Sequence, residues 1–144
     1  MHHTVQLSEK VHWIGVNDRK THLFENLWPL ENGVAYNSYL INDEKVAIID
    51  TVEHRSSDEY IDKIKSLIGP DRKVDYLIVN HMEPDHSGWL EPFSKLRGDD
   101  NFEILCTQRA VPLLENFYGI TDNIRPVKSG DTLDLGDGRV LAFE

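Results

Sequence analysis

The chain has one cysteine, few basic residues and no long apolar run, and each shortage excludes something. Cys106 alone among 144 residues rules out an intramolecular disulfide. Its setting, Phe102-Glu103-Ile104-Leu105-Cys106, is a buried-strand pattern in which a thiol serves as a small core hydrophobe rather than a nucleophile. Fifteen Lys and Arg against twenty-five Asp and Glu leave a net charge of −10, which disfavours sequence-independent attraction to phosphate backbones and so argues against a nucleic-acid partner. No apolar run approaches the ~20 residues of a membrane-spanning helix. The start, Met1-His2-His3 followed by polar residues, lacks the basic and apolar regions of a secretory leader and points to the cytoplasm. Internal repeats and low-complexity segments are absent, and 40% hydrophobic with 28% charged residues is ordinary for one globular domain.

Against this plain background stands His81-Met82-Glu83-Pro84-Asp85-His86, two imidazoles and two carboxylates within six residues. All four can ligate a transition metal. A helix would send Glu83 away from His81 and Asp85, and a regular strand would send His86 to the opposite face, so only an irregular turn gathers the four. Pro84 suits such a turn, because its ring fixes its own φ and pushes Glu83 out of the helical region. Upstream, Val74-Asp75-Tyr76-Leu77-Ile78-Val79-Asn80 is a mostly apolar, β-favouring run, which places the four donors on the loop leaving a buried strand. Nitrogen and carboxylate donors without thiolate suit iron, manganese or zinc rather than copper(I) or an iron–sulfur cluster. Four ligands split across a turn can also serve two neighbouring ions.

The rest of the chain supplies a scaffold. Val11 to Val16 and Tyr36 to Ile41 read as strands, with a long loop from Asn17 to Val34 between them. Lys45 to Asp50 completes a hairpin with the second. A helix follows, with Ser56 and Glu59 spaced as a capping box, an apolar stripe of Tyr60, Ile61, Ile64, Leu67 and Ile68, and Gly69-Pro70 as its stop. After the donor turn come a short helix from about Trp89 to Leu96, a strand from Phe102 to Cys106, and a helix from Arg109 to Tyr118 with Pro112 in its first turn and Gly119 at its end. Strands at Ile124 to Val127, Thr132 to Leu135 and Val140 to Phe143 close the chain. This order predicts an α/β layered domain with a mixed sheet.

With the donor turn set behind its strand, the chain resembles the metallo-β-lactamase fold and, within it, the flavodiiron proteins, also called A-type flavoproteins. The resemblance rests on Gly15-Val16-Asn17-Asp18-Arg19-Lys20-Thr21-His22-Leu23-Phe24-Glu25, on Tyr36-Asn37-Ser38-Tyr39-Leu40-Ile41, on Ile48-Ile49-Asp50-Thr51-Val52, on Asn80 to Gly88, and on Ser129 to Gly136. Hydrolases of this fold carry His-x-His-x-Asp-His, whereas the second position here is Glu83. That exchange makes the donor set harder and more anionic, favouring iron over zinc. The resemblance implies that His81 and Glu83 bind one iron and Asp85 with His86 the other. It implies that Asp50 holds the ligand loop by hydrogen bonds, with capping of the loop after its own strand as the alternative. His22 matches a position near the distal side of the diiron pocket, with an ordinary loop histidine as its alternative; His12 and His54 are read as structural or surface residues.

By the same resemblance the fold is an αβ/βα sandwich, of which residues 1–144 form roughly the N-terminal half, and the implied activity is reduction of dioxygen to water or of nitric oxide to nitrous oxide at non-haem diiron. Electrons would come from FMN in a C-terminal flavodoxin-like domain, itself supplied by a donor such as rubredoxin or a flavin reductase. The further ligands of the family site and that FMN domain lie beyond the motifs quoted. The chain alone is therefore expected to bind iron weakly, without turnover, and to present an uncovered sheet face calling for self-association or a complementary chain. Two other readings stay open, a metallo-hydrolase of the same fold and a non-catalytic assembly module. Metal content separates the module from the enzymes, and iron against zinc separates the two enzymes.

Overall fold

The computed structural model describes residues 3–24, 27–83 and 102–144. Its centre is a mixed sheet whose strands lie in the order β1-β2-β7-β8-β9-β10-β11. These are β1 (Val5–Ser8), β2 (Val11–Trp13), β7 (Tyr39–Asn42), β8 (Val46–Ile49), β9 (Tyr76–Ile78), β10 (Glu103–Thr107) and β11 (Ile124–Val127). From β1 to β8 neighbours run antiparallel, and from β8 to β11 they run parallel. Three two-stranded ribbons accompany it: β3 (Val16–Asp18) with β6 (Val34–Tyr36), β4 (Leu23–Phe24) with β5 (Trp28–Pro29), and β12 (Thr132–Asp134) with β13 (Val140–Ala142).

Strand alternation sorts the core into two clusters. Leu40, Val46, Ile48, Leu77, Ile104 and Cys106 pack with Tyr60, Ile64 and Leu114 of the two described helices, α1 (Ser57–Ile68) and α2 (Val111–Tyr118). Their sequence neighbours Ile41, Ala47, Ile78 and Leu105 pack with Leu133 and Leu135. Because successive side chains of a strand point to opposite faces, both faces of the central strands are buried, which is why they read as continuous apolar runs. Burying each large aliphatic side chain contributes about 1.5–3 kcal/mol, so these strands anchor whatever their ends carry. The second sheet face is therefore not bare as expected. The β12–β13 ribbon buries Leu133 and Leu135 against it, and Lys45 N donates to Leu135 O at 2.8 Å to tie the ribbon to the β7–β8 turn.

Other local expectations need correction. The strand expected from Val11 to Val16 breaks at Ile14-Gly15, and the expected Asn17–Val34 loop holds β4, β5 and parts of β3 and β6. Gly15 sits where a Cβ would lie 2.2 Å from Tyr36 O, so the close crossing of β3 and β6 admits no larger residue. β1, which is not among the expected strands, pairs with β2 although its four residues, including the alternating Val5 and Leu7, are exposed. The Ser56–Glu59 capping box does not form. A 3-10 turn at His54–Ser56 precedes α1, Ser56 makes no side-chain cap, Glu53 accepts from Arg55 N instead, and Glu59 pairs with Lys63 Nζ at 2.7 Å. Gly69 ends α1, Gly119 ends α2 in the left-handed conformation, and Cys106 is buried, as the sequence indicated. The helix expected from Trp89 to Leu96 lies outside the described residues.

Candidate metal centre

Strands β8 and β9 run parallel with Ile49 opposite Ile78, so their C-terminal ends open on the same edge of the sheet. Sites of open α/β sheets form at such edges, because the chain must leave each strand there through a loop. Asp50 follows β8, and Asn80-His81 follows β9. Asp50 N donates to Ile78 O at 2.8 Å, extending the ladder one residue past β8. There the backbone of Asp50 turns into the left-handed region, at φ 55°, a conformation that costs a non-glycine residue about 1–2 kcal/mol. In that position its carboxylate faces the next loop. Oδ1 accepts from Asn80 N at 2.7 Å and from His81 N at 3.2 Å, fixing the first residues of the donor turn.

From this fixed base, His81 Nε2 and Glu83 Oε2 come within 3.4 Å of each other. Both side chains are about half exposed, at 46% and 58%, and are open to an incoming ion. Two donors at the ~2.1 Å typical of imidazole and carboxylate on a transition ion are 3.4 Å apart when they subtend roughly 110°, so the pair fits one metal ion. Asp85 and His86 lie outside the described residues. Among the described residues no group of three or more metal-ligating side chains occurs, and His81 with Glu83 is the pair brought together.

His22 is exposed on the β3–β4 connection and lines a cavity of about 910 Å³ together with Asp18, Arg19, Lys20 and Arg55. Asp18 shapes this loop, its carboxylate accepting from Lys20 N at 2.8 Å and from Thr21 N at 3.0 Å. His81 and Glu83 are not among the described lining residues of that cavity.

Two buried polar groups that the sequence did not single out also face this part of the fold. Tyr60 of α1 and Ser38, both fully buried, meet at 2.8 Å between their hydroxyl oxygens and reach Asp50 O at 3.2 and 2.9 Å. Burial pushes the Tyr60 phenol well above its ordinary pKa, so it stays protonated and able to donate. Lys63, also buried, donates from Nζ to Gly15 O at 2.6 Å and lies 5.1 Å from the centre of the Trp13 ring. Tyr60 belongs to the apolar stripe of α1, so periodicity reads it only as a core residue.

Residues 34–144 match the family described as ODP family beta lactamase. The anaerobic nitric oxide reductase flavorubredoxin of Aliivibrio fischeri is 36% identical over 143 residues, covering 97% of this chain and 28% of its own length. A flavo-diiron protein of Clostridium acetobutylicum is 36% identical over 140 residues, covering 96% and 34%. Rubredoxin:oxygen oxidoreductase from Desulfovibrio gigas superposes with a TM-score of 0.87 at 28% identity, over 97% of this chain and 34% of that one. The chain thus spans about a third or less of the length of these curated relatives.

Proposed function

The chain belongs to the ODP β-lactamase family with the mixed α/β fold of the flavodiiron metallo-β-lactamase-like domains, and on that premise we propose that it carries part of a non-haem diiron site for reduction of dioxygen or nitric oxide. In this reading residues 1–144 correspond to the N-terminal portion of that domain. His81 and Glu83 furnish a nitrogen and an oxygen donor to one iron, and Asp85 with His86 serves the other. Iron bound there would supply reducible centres with open positions for a small diatomic substrate. The observation that carries the reading is the approach of His81 Nε2 to Glu83 Oε2 at 3.4 Å on the edge of the sheet where parallel strands end.

The chain's own contributions are positional and electrostatic. Asp50 holds the amides of Asn80 and His81, so the His81 ring leaves a fixed backbone and less freedom is lost when a metal is bound. Glu83, a carboxylate where hydrolases of the fold place an imidazole, lowers the charge of the site and favours a harder, more oxidised ion. His22, on its own loop, is offered as a hydrogen-bond donor near substrate. Electrons would arrive from a flavin, with an external donor such as rubredoxin. Among the described residues no helix is long and apolar enough to cross a membrane.

Anaerobic purification of the native protein from its source, followed by metal determination and assays of nitric oxide and dioxygen consumption, tests the proposal. Iron together with consumption of either gas is the expected result. Zinc accompanied by hydrolytic activity, or a protein that binds no metal, overturns it.

A further inference from the structure

We propose that Tyr60 and Ser38 are positioning residues for the candidate metal centre, acting through the backbone of Asp50 on His81; the metal part of this inference rests on the function proposed above. Asp50 is held on three sides. Its N–H is bonded to Ile78 O, its carbonyl receives the buried hydroxyls, and its carboxylate grips the amides of Asn80 and His81. A residue forced to φ 55° persists only where its surroundings over-determine it, and the two hydroxyls supply that constraint. Removing them takes two holds from the Asp50 carbonyl and loosens the grip of the carboxylate on the donor turn.

Counting protons gives the arrangement a direction. Three short oxygen contacts join Ser38, Tyr60 and the Asp50 carbonyl, and the two hydroxyls bring one proton each. Two bonds can form at once. The two shorter contacts, 2.8 and 2.9 Å, make a chain in which Tyr60 donates to Ser38 Oγ and Ser38 donates to Asp50 O, leaving the 3.2 Å contact as the weaker one. Tyr60 brings helix α1 into this chain, Ser38 brings the start of β7, and Asp50 delivers the result to the loop after β9. The order of a packed, dry interior thereby reaches an exposed pair of donors. Such supporting hydrogen bonds set the orientation of metal-binding side chains, and losing one typically weakens metal affinity.

The test uses the native protein and its Tyr60→Phe, Ser38→Ala, Asp50→Gly and Tyr60→Phe/Asp50→Gly variants. Glycine at position 50 removes the carboxylate yet accepts the left-handed backbone. Two readouts are taken: hydrogen exchange of the Asn80 and His81 amides in metal-free protein, and Fe(II) affinity by anaerobic titration. Tyr60→Phe is expected to speed exchange at both amides and to weaken Fe(II) binding about tenfold, with Ser38→Ala acting in the same direction. In the Asp50→Gly background Tyr60→Phe should add nothing, because the path to His81 is already cut. An equal effect of Tyr60→Phe with and without the Asp50 carboxylate, or unchanged exchange at Asn80 and His81 in both hydroxyl variants, overturns the inference. Absence of Fe(II) binding in the native protein overturns the proposed function instead, while the exchange measurement still decides whether the hydroxyls position the loop.

Discussion

Two aspartates flank strand β8, and they hold the chain in opposite ways. Asp43, in the turn before it, is buried among cations: its carboxylate accepts from Arg139 Nε at 2.7 Å and from Lys10 Nζ at 3.0 Å, while the Arg72 guanidinium caps its carbonyl. These partners come from the β12–β13 ribbon, the β1–β2 turn and the segment before β9, so Asp43 clasps distant loops by charge. Asp50, just after the strand, offers its carboxylate to the backbone amides of Asn80 and His81 and has its carbonyl held by neutral hydroxyls. A carboxylate neutralised by two cations suits a structural clasp. One that grips main-chain amides beside a metal-type pair suits a support for ligands, because it orients the neighbouring imidazole without competing for the cation's charge.

The contrast can be broken from either end. The largest effect expected at the site is that of Asp50→Gly, about 10–100-fold weaker Fe(II) binding by anaerobic titration, with little change in melting temperature because glycine keeps the left-handed backbone and water can replace the lost bonds to exposed amides. Asp43→Ala should do the reverse, lowering the melting temperature while Fe(II) affinity stays that of the unaltered protein. A loss of affinity in Asp43→Ala would show that the two ends of β8 are not independent.

The bonds from Arg139 and then Lys10 hold the Asp43 carboxyl at about 2, below its ordinary 3.8. A carboxyl depressed in the folded state stabilises the fold above its unfolded value and loses that contribution as pH falls towards the folded one. Denaturant midpoints should therefore drop between pH 3.8 and about 2, and that part of the drop should be missing in Asp43→Asn. The smallest change belongs to Lys10→Met, since Lys10 is partly exposed and its loss leaves Arg139 in place on Asp43. Its melting temperature should fall less than that of Asp43→Ala; an equal fall would make Lys10 rather than Arg139 the main partner.

Legibility in the sequence followed periodicity. The stripe of Tyr60, Ile64 and their neighbours marked α1, Pro112 and Gly119 bracketed α2, and the apolar runs around Ile48, Leu77 and Leu105 marked the central strands. Short ribbons were not legible, because β4 and β5 have two residues each and no period can be read from so few. The capping box failed for a different reason: Glu59 had a better partner in Lys63, and nothing local reveals that a lysine four residues on will be buried. At the site, the clustering of His81 and Glu83 with Asp85 and His86 was visible as bare spacing, whereas the hold of Asp50 on the donor turn was suggested by family resemblance.

The sequence by itself determined which side chains could ligate a metal, that they follow a buried strand, and that Glu83 makes the set harder than an all-imidazole one. Those are properties of residue type and near-neighbour spacing. Only the tertiary structure decided that Asp50, thirty residues from Asn80, reaches the donor turn, and that Ser38 and Tyr60 converge on its carbonyl. Parallel pairing of β8 with β9 and packing of α1 on the sheet create those contacts, and hydrogen bonds between groups so far apart in the chain exist only once the sheet and its covering helix have excluded water.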